Sequence, residues 1–148
     1  LSNISLKNFN KIDIEAEGNC MFLAIYTSLH FIEKGEILKK KSKRLKEMQA
    51  LLREKTMKYF KSHKNKFSPF IETNENANTY IERMSKPYQW GGNIELHIIS
   101  RLLKRDIVIF KPNGHKYIIP YQGANKKPQN IYLYHSGQVH YESLIPKN

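Results

Sequence analysis

A chain of 148 residues, 40% of them hydrophobic, has the size and apolar content of one globular domain and would be cramped as two. No apolar run approaches the roughly 18 residues that span a bilayer, disorder and low complexity are excluded by composition, and a single cysteine allows neither an internal disulfide nor a cysteine-based zinc site. The net charge of +12 suggests a nucleic-acid binder, yet 13 Lys and Arg against three Glu between Lys34 and Lys66 give that segment alone +10, so the remainder is near neutral.

The chain opens Leu1-Ser2-Asn3 without methionine, as expected of a domain excised from a longer protein. Free of cysteine pairs, it suits a reducing compartment, the cytosol. Residues 1–17 read as a leading segment with a strand over Lys11–Ile14. Gly18-Asn19 breaks the pattern, and the dense apolar run from Cys20 to Ile32 predicts a largely buried helix ending near Lys34-Gly35. A second helix is predicted over Ile37–His63, burying Leu45, Met48, Leu52 and Tyr59 and turning Arg44, Glu47, Arg53, Glu54 and Lys58 to water. The run Lys39-Lys40-Lys41 with Lys43-Arg44 repels itself, so this end should fray or seek an acidic partner. Thr73-Asn74 offers caps for a helix over Glu75–Met84. A loop holding the only Trp, Trp90, with Gly91 and Gly92, precedes a helix over Ile94–Leu103 with Glu95 in its first turn. Strands follow over Asp106–Phe110, Lys116–Tyr121, Ile131–Tyr134 and Val139–Ile145, the last two joined by a hairpin at Ser136-Gly137. Helices first and strands last predict an α+β domain with a small, mostly antiparallel sheet from the C-terminal half.

Cys20 stands at the first turn of its helix, directly after Gly18-Asn19. A lone cysteine in an apolar helix is commonly inert and buried. At a helix N-terminus, however, unpaired N–H groups and the positive dipole end favour a thiolate, lowering the thiol pKa from about 8.5. The same N–H groups are placed to hold an oxyanion. A thiolate nucleophile needs a histidine partner. His30 lies too far along the same helix; His63 falls in the basic segment; His97 is flanked by apolar positions; His115 and His135 fall at turns and are expected in solvent. His140 lies inside a strand with Glu142 on the same face, where a carboxylate can fix the imidazole tautomer. A surface His-Glu pair is the simpler alternative.

Glu17-Gly18-Asn19-Cys20-Met21-Phe22 resembles the catalytic-cysteine motif of the OTU (ovarian tumour) deubiquitinases. Trp90-Gly91-Gly92-Asn93-Ile94-Glu95-Leu96, with Tyr80–Met84 ahead of it, and His140-Tyr141-Glu142-Ser143-Leu144 are similar to that family's Trp-Gly-Gly and catalytic-histidine signatures, in the family's order. The resemblance covers nearly the whole chain. It implies a papain-type cysteine protease fold over residues 1–148, with residues 34–66 a basic helical segment within it. It implies an isopeptidase in which Cys20 attacks the carbonyl of ubiquitin's C-terminal glycine, His140 serves as base and acid, and Glu142 orients it. No metal or organic cofactor is implied, and the domain is expected to act as a monomer on ubiquitin, polyubiquitin or a ubiquitin-like modifier.

Glu17, Gly18 and Asn19 would shape the oxyanion loop, the acid accepting backbone N–H bonds. Trp90, Gly91 and Gly92 would serve packing and loop geometry, the glycines through positive φ and close approach. Glu17 and Glu142 replace the family's usual Asp and Asp or Asn, which leaves open a weakly active or inactive ubiquitin-binding module. Because ubiquitin's tail is basic, the resemblance also implies an acidic patch, with Glu33, Glu72, Glu75 and Glu82 as candidates. The basic segment reads as a solvated helix face, or as a dock for an acidic partner, an anionic surface or nucleic acid; it lacks the interleaved aromatics of a single-strand binder. Abundant Lys, Asn and Ile suit an AT-rich genome and an effector secreted into a host cytosol.

Overall fold

The computed structural model describes residues 5–137 and 139–148; the first four residues of the leading segment and Gln138 in the last hairpin lie outside it. A 3-10 turn at Leu6–Asn8 leads into strand β1 (Phe9–Ile12), two residues earlier than the pattern predicted. Helix α1 (Cys20–Lys34) is buried continuously from Cys20 to Ser28 and stops at Gly35, whose φ of +69° closes it on the Phe31 carbonyl. The left-handed cap is what glycine provides without strain.

Helix α2 covers Lys43–Ser62 rather than starting at Ile37. The Ser42 hydroxyl accepts from the Leu45 N–H at 3.1 Å and caps it. The lysines ahead of the cap turn away from the helix: Lys40 binds Asp13 at 2.7 Å and Lys41 approaches Glu15 at 3.7 Å. The repulsion of the basic run is thus relieved within the chain, by acids of the leading segment. The buried stripe of α2 is Leu45, Gln49, Leu52, Arg53, Thr56, Met57 and Phe60, so Arg53, expected on the water face, is inside. A short helix α3 (Lys64–Phe67) and a 3-10 turn at Ser68–Phe70 follow. Helix α4 is Ala77–Met84, capped by Asn76, whose side chain takes the Thr79 N–H at 2.9 Å; Thr73 instead bonds Glu75. Helix α5 (Asn93–Leu103) opens on Gly92, and Glu95 reaches back to the Gly92 N–H at 2.8 Å.

Strands β2 (Ile107–Phe110), β3 (Lys116–Ile119), β4 (Ile131–Ser136) and β5 (His140–Pro146) join β1 in one sheet of order β1-β5-β4-β2-β3. All pairings are antiparallel except β2 with β4. The predicted α+β layout holds, with one addition: the edge strand β1 comes from the N-terminal segment and pairs Phe9 with Pro146 and Ile12 with Ser143. β2 is covered on both faces. Ile107 and Ile109 face the core under α1 and α5, while Val108 and Phe110 join Phe9 and Leu144 on the other side, as alternation along a strand requires. Each fully buried side chain in that layer, such as Phe22, Ile25 or Leu96, is worth about 1.5–3 kcal/mol. This packing fixes the N-terminus of α1 against the start of β5.

Glu75, ahead of α4, accepts from Arg83 Nε at 2.7 Å and Nη2 at 2.8 Å, and from the Thr73 hydroxyl at 2.7 Å. The guanidinium holds its carboxyl at about 2, against an ordinary 4.5. Because the folded value is the depressed one, the stabilisation is complete above the ordinary value and is lost as pH falls toward the folded one. Urea titrations of wild type and Glu75→Gln should therefore show a gap at neutral pH that closes between pH 4.5 and pH 2.

Candidate active site

The sulfur of Cys20 sits between α1 and the first residues of β5. The Tyr141 N–H donates to it at 3.4 Å, and the thiol donates to the Val139 carbonyl at 3.4 Å. The residue is 1% exposed, and burial pushes the thiol up from its ordinary value, against smaller lowering by the N–H groups of Tyr141, Met21 and Cys20 itself. This reverses the expectation from the helix dipole alone: in the unliganded protein desolvation wins, and the resting group is a thiol with its proton on a carbonyl.

The loop before Cys20 is folded around Asn19. As N-cap residue, Asn19 makes no side-chain cap; its Oδ1 instead accepts from the Tyr88 N–H at 2.8 Å and from Arg53 Nη2 at 2.9 Å. The first-turn N–H groups of α1 are therefore not consumed by the usual cap. Glu17, expected to collect backbone N–H bonds, takes the Asn19 Nδ2 at 3.3 Å with its carboxylate and the Cys20 N–H at 3.0 Å with its backbone carbonyl. Gly18 lies so close to the 85–92 loop that a Cβ there would stand 1.8 Å from the Tyr88 carbonyl oxygen. Only glycine fits.

His140 comes to the same end of the molecule, one residue before the Tyr141 N–H that reaches the sulfur. Its Nδ1 is buried and has no hydrogen-bond partner among the described residues. Glu142 does share the face of His140, but it faces Lys11 at 3.9 Å rather than bonding the imidazole. Asp13, held by Lys40, is also near enough for His140 to act on it electrostatically. The structure thus assembles Cys20, His140 and Glu142 in one place without closing the hydrogen bonds between them.

Gly91 and Gly92 do not adopt positive φ. The requirement at Gly91 is space, since a Cβ would lie 2.5 Å from Met21 Cε, and Gly92 serves as the N-cap of α5. Trp90, expected as packing, is 44% exposed; it lines a shallow cleft with Phe70, Glu72 and Tyr80. Of the acids offered for a patch, Glu72 lines that cleft, Glu75 is held by Arg83, and Glu33 is in the last turn of α1, far from Cys20. His135 is not solvated at a turn: it lies in β4, stacked on Tyr141 with ring centres 4.2 Å apart. Arg53, Tyr88 and the Val139 carbonyl were not foreseen around the cysteine. For Arg53 a signal existed, because residue 53 falls four after Gln49 and four before Met57 on the α2 stripe.

Residues 15–141 match the family described as OTU-like cysteine protease. Among relatives, the chain is 27% identical to OTU domain-containing protein 6A of Mus musculus over 97% of this chain and 48% of that protein. It is 26% identical to the putative ubiquitin thioesterase L96 of Tipula iridescent virus over 95% of this chain and 16% of that protein. The chain thus spans about half the length, or much less, of these relatives. Among solved structures, the OTUD1 OTU domain superposes with a TM-score of 0.74 at 22% identity, covering 94% of this chain and 87% of that one. An OTU deubiquitinase from Wolbachia pipientis wMel bound to ubiquitin gives 0.67 at 16% identity, covering 95% and 97%. A match spanning most of the chain, its three motifs gathered at one end of the fold, places this protein in the OTU-like cysteine protease family.

Proposed function

We propose that this domain hydrolyses the isopeptide bond at the C-terminus of ubiquitin with Cys20 as nucleophile. The observation that carries the reading is the seat of Cys20, at the first turn of α1 and in hydrogen-bond contact with the backbone on both sides of His140. Relatives named deubiquitinase or ubiquitin thioesterase and an OTU domain bound to ubiquitin support ubiquitin as the substrate. In the reaction His140 takes the thiol proton as the sulfur attacks the carbonyl carbon. It returns that proton to the lysine amine as the C–N bond breaks, leaving a thioester. A water molecule then gives its proton to His140 as it attacks the thioester, and the thiol is regenerated. The oxyanion formed in both halves falls to N–H groups of the loop before Cys20 and the uncapped first turn of α1, the Cys20 N–H itself being held by the Glu17 carbonyl. Glu142 stabilises the imidazolium once the substrate displaces the resting arrangement, since catalytic hydrogen bonds tighten in the complex.

A second reading, a ubiquitin-binding domain with weak turnover, is favoured by one observation: Glu142 is engaged with Lys11, and His140 Nδ1 has no partner among the described residues.

Ubiquitin with a propargylamide at its C-terminus should form a covalent adduct with wild type and none with Cys20→Ala; absence of the wild-type adduct at neutral pH, read by gel shift, would reject the first reading. On diubiquitin substrates His140→Ala should lose about 10²–10⁴-fold in kcat, the usual worth of a positioned acid-base group. Glu142→Gln and Lys11→Ala separate the two readings. If Glu142 orients His140, Glu142→Gln lowers kcat about ten- to a hundredfold, less than loss of the acid-base group itself, and Lys11→Ala leaves it near wild type. If Lys11 holds Glu142 away from the imidazole, Lys11→Ala raises the rate and Glu142→Gln changes it little.

A further inference from the structure

The guanidinium of Arg53 is the one buried cation near Cys20 among the described residues, and its contacts all lie around the cysteine. Its side chain is 3% exposed. Nη2 donates to the Gly18 carbonyl at 3.3 Å, to Asn19 Oδ1 at 2.9 Å and to the Gln89 carbonyl at 2.8 Å, while Nη1 donates to the Met84 carbonyl at 3.0 Å. Its plane lies over the ring of Phe22, 4.3 Å from the centroid. One side chain of α2 therefore ties the loop before Cys20, the first turn of α1, the end of α4 and the 85–92 loop.

The bond to Gly18 has a directional consequence. A trans peptide is planar, so the Gly18 carbonyl and the Asn19 N–H point in opposite directions. With the carbonyl drawn to Arg53, the Asn19 N–H must face away from the guanidinium, and none of the described residues accepts it. The Cys20 N–H, by contrast, is already spent on the Glu17 carbonyl at 3.0 Å. Arg53 also takes Asn19 Oδ1 out of its capping position and so leaves the first turn of α1 uncapped.

We propose that Arg53 is a positioning residue of the acyl-transfer site: it fixes the plane of the Gly18–Asn19 peptide so that the Asn19 N–H is presented to the oxyanion. Its effect belongs to the transition state for attack on a carbonyl and not to formation or reactivity of the sulfur as such. The inference rests on Cys20 being an acylating nucleophile, as in the function proposed above, but not on ubiquitin being the substrate. Lysine at 53 would keep a charge and part of the stem, but it lacks the planar fork that reaches Gly18, Asn19 and Gln89 together.

Two small reagents separate the roles, because Cys20 is the only thiol. Acylation by p-nitrophenyl acetate passes through an oxyanion; alkylation by iodoacetamide does not. Both rates are read at Cys20 by mass spectrometry, with Cys20→Ala as blank, on wild type, Arg53→Lys and Arg53→Gln. Loss of one oxyanion donor costs about 10²–10³-fold, so the ratio of acylation to alkylation should fall at least about tenfold in the variants, with alkylation within about threefold of wild type. A ratio equal to wild type overturns the proposal, as does a parallel fall in both rates, which marks a general disruption of the loop. With a fluorogenic ubiquitin C-terminal amide, the same variants should lose kcat and keep KM. If wild type does not turn over that amide, the ubiquitin reading fails while the ratio still judges Arg53. Should both variants lose their cooperative melt, wild-type NMR decides. A clamped guanidinium gives separate Arg53 Hη signals protected from exchange, and a single averaged signal overturns the proposal.

Discussion

The chemistry of this domain depends on where a helix begins. α1 is buried on most sides because it is the central helix of the core, and Cys20 is its first residue. Packing α1 against β4 and β5 sets the sulfur beside the β5 backbone, so geometry and desolvation arrive together. The cost is visible in the resting thiol, which burial keeps protonated and which satisfies itself on the Val139 carbonyl. A sulfur so placed is protected from adventitious chemistry, because the thiolate is the reactive form. In the function proposed above, it becomes a nucleophile when a base takes its proton in the presence of substrate. The buried Nδ1 of His140, one residue from that carbonyl, has no hydrogen-bond partner among the described residues.

The electrostatics of the chain divide in a way that net charge conceals. Much of the excess positive charge is carried by α2 and the residues ahead of it. There Lys40 and Lys41 neutralise Asp13 and Glu15 of the leading segment, Lys43 pairs with Glu47, and the outer face of the helix is solvated. Exposed pairs of this kind are worth roughly 0–1 kcal/mol each, so they steer the leading segment more than they stabilise it. Their position is consequential all the same. The segment they hold continues from β1, whose Lys11 meets Glu142. Lys40 and Lys41 are thus linked to the site through the leading segment, whose Lys11 meets Glu142.

What could be read from the sequence was whatever periodicity or a local motif encodes. The buried run from Cys20 gave the length of α1, Gly35 its end, and alternation the strands. The motifs at Glu17–Cys20, Trp90–Leu96 and His140–Leu144 picked out the elements that meet at the site. Local strength of that kind failed where a long-range contact decided. Residues 37–42 have helical composition, but Ser42 caps α2 later and distant Asp13 and Glu15 draw the lysines away. His135 follows turn-like neighbours, yet pairing opposite Tyr141 buries it. The thiol is the sharpest case: the helix dipole is visible in sequence, while the desolvation that outweighs it comes from burial in the folded core. Arg53 was placed outside because arginine usually is, although its stripe on α2 runs through buried positions.

Burying Arg53 sets a desolvation cost against the hydrogen bonds it makes. Desolvating a cation costs several kcal/mol even after relaxation, and burial lowers its pKa to about 10, which still leaves it charged at neutral pH. Against this stand hydrogen bonds to four acceptors, three of which share the two protons of Nη2, each full charged bond being worth roughly 1.5–3 kcal/mol, and a ring contact with Phe22. All four acceptors are neutral, and Glu95 contributes only through space. An apolar side chain of similar volume would avoid the desolvation cost but leave four acceptors without this donor, at about 1–3 kcal/mol for each one buried. What such a side chain could not do is satisfy three buried or half-buried carbonyls on separate segments while turning one peptide plane. Arg53 thus satisfies these acceptors and, in the role proposed above, orients the Gly18–Asn19 peptide. The loop before the cysteine also tolerates no side chain at residue 18, where the Tyr88 carbonyl already fills the space a Cβ would need.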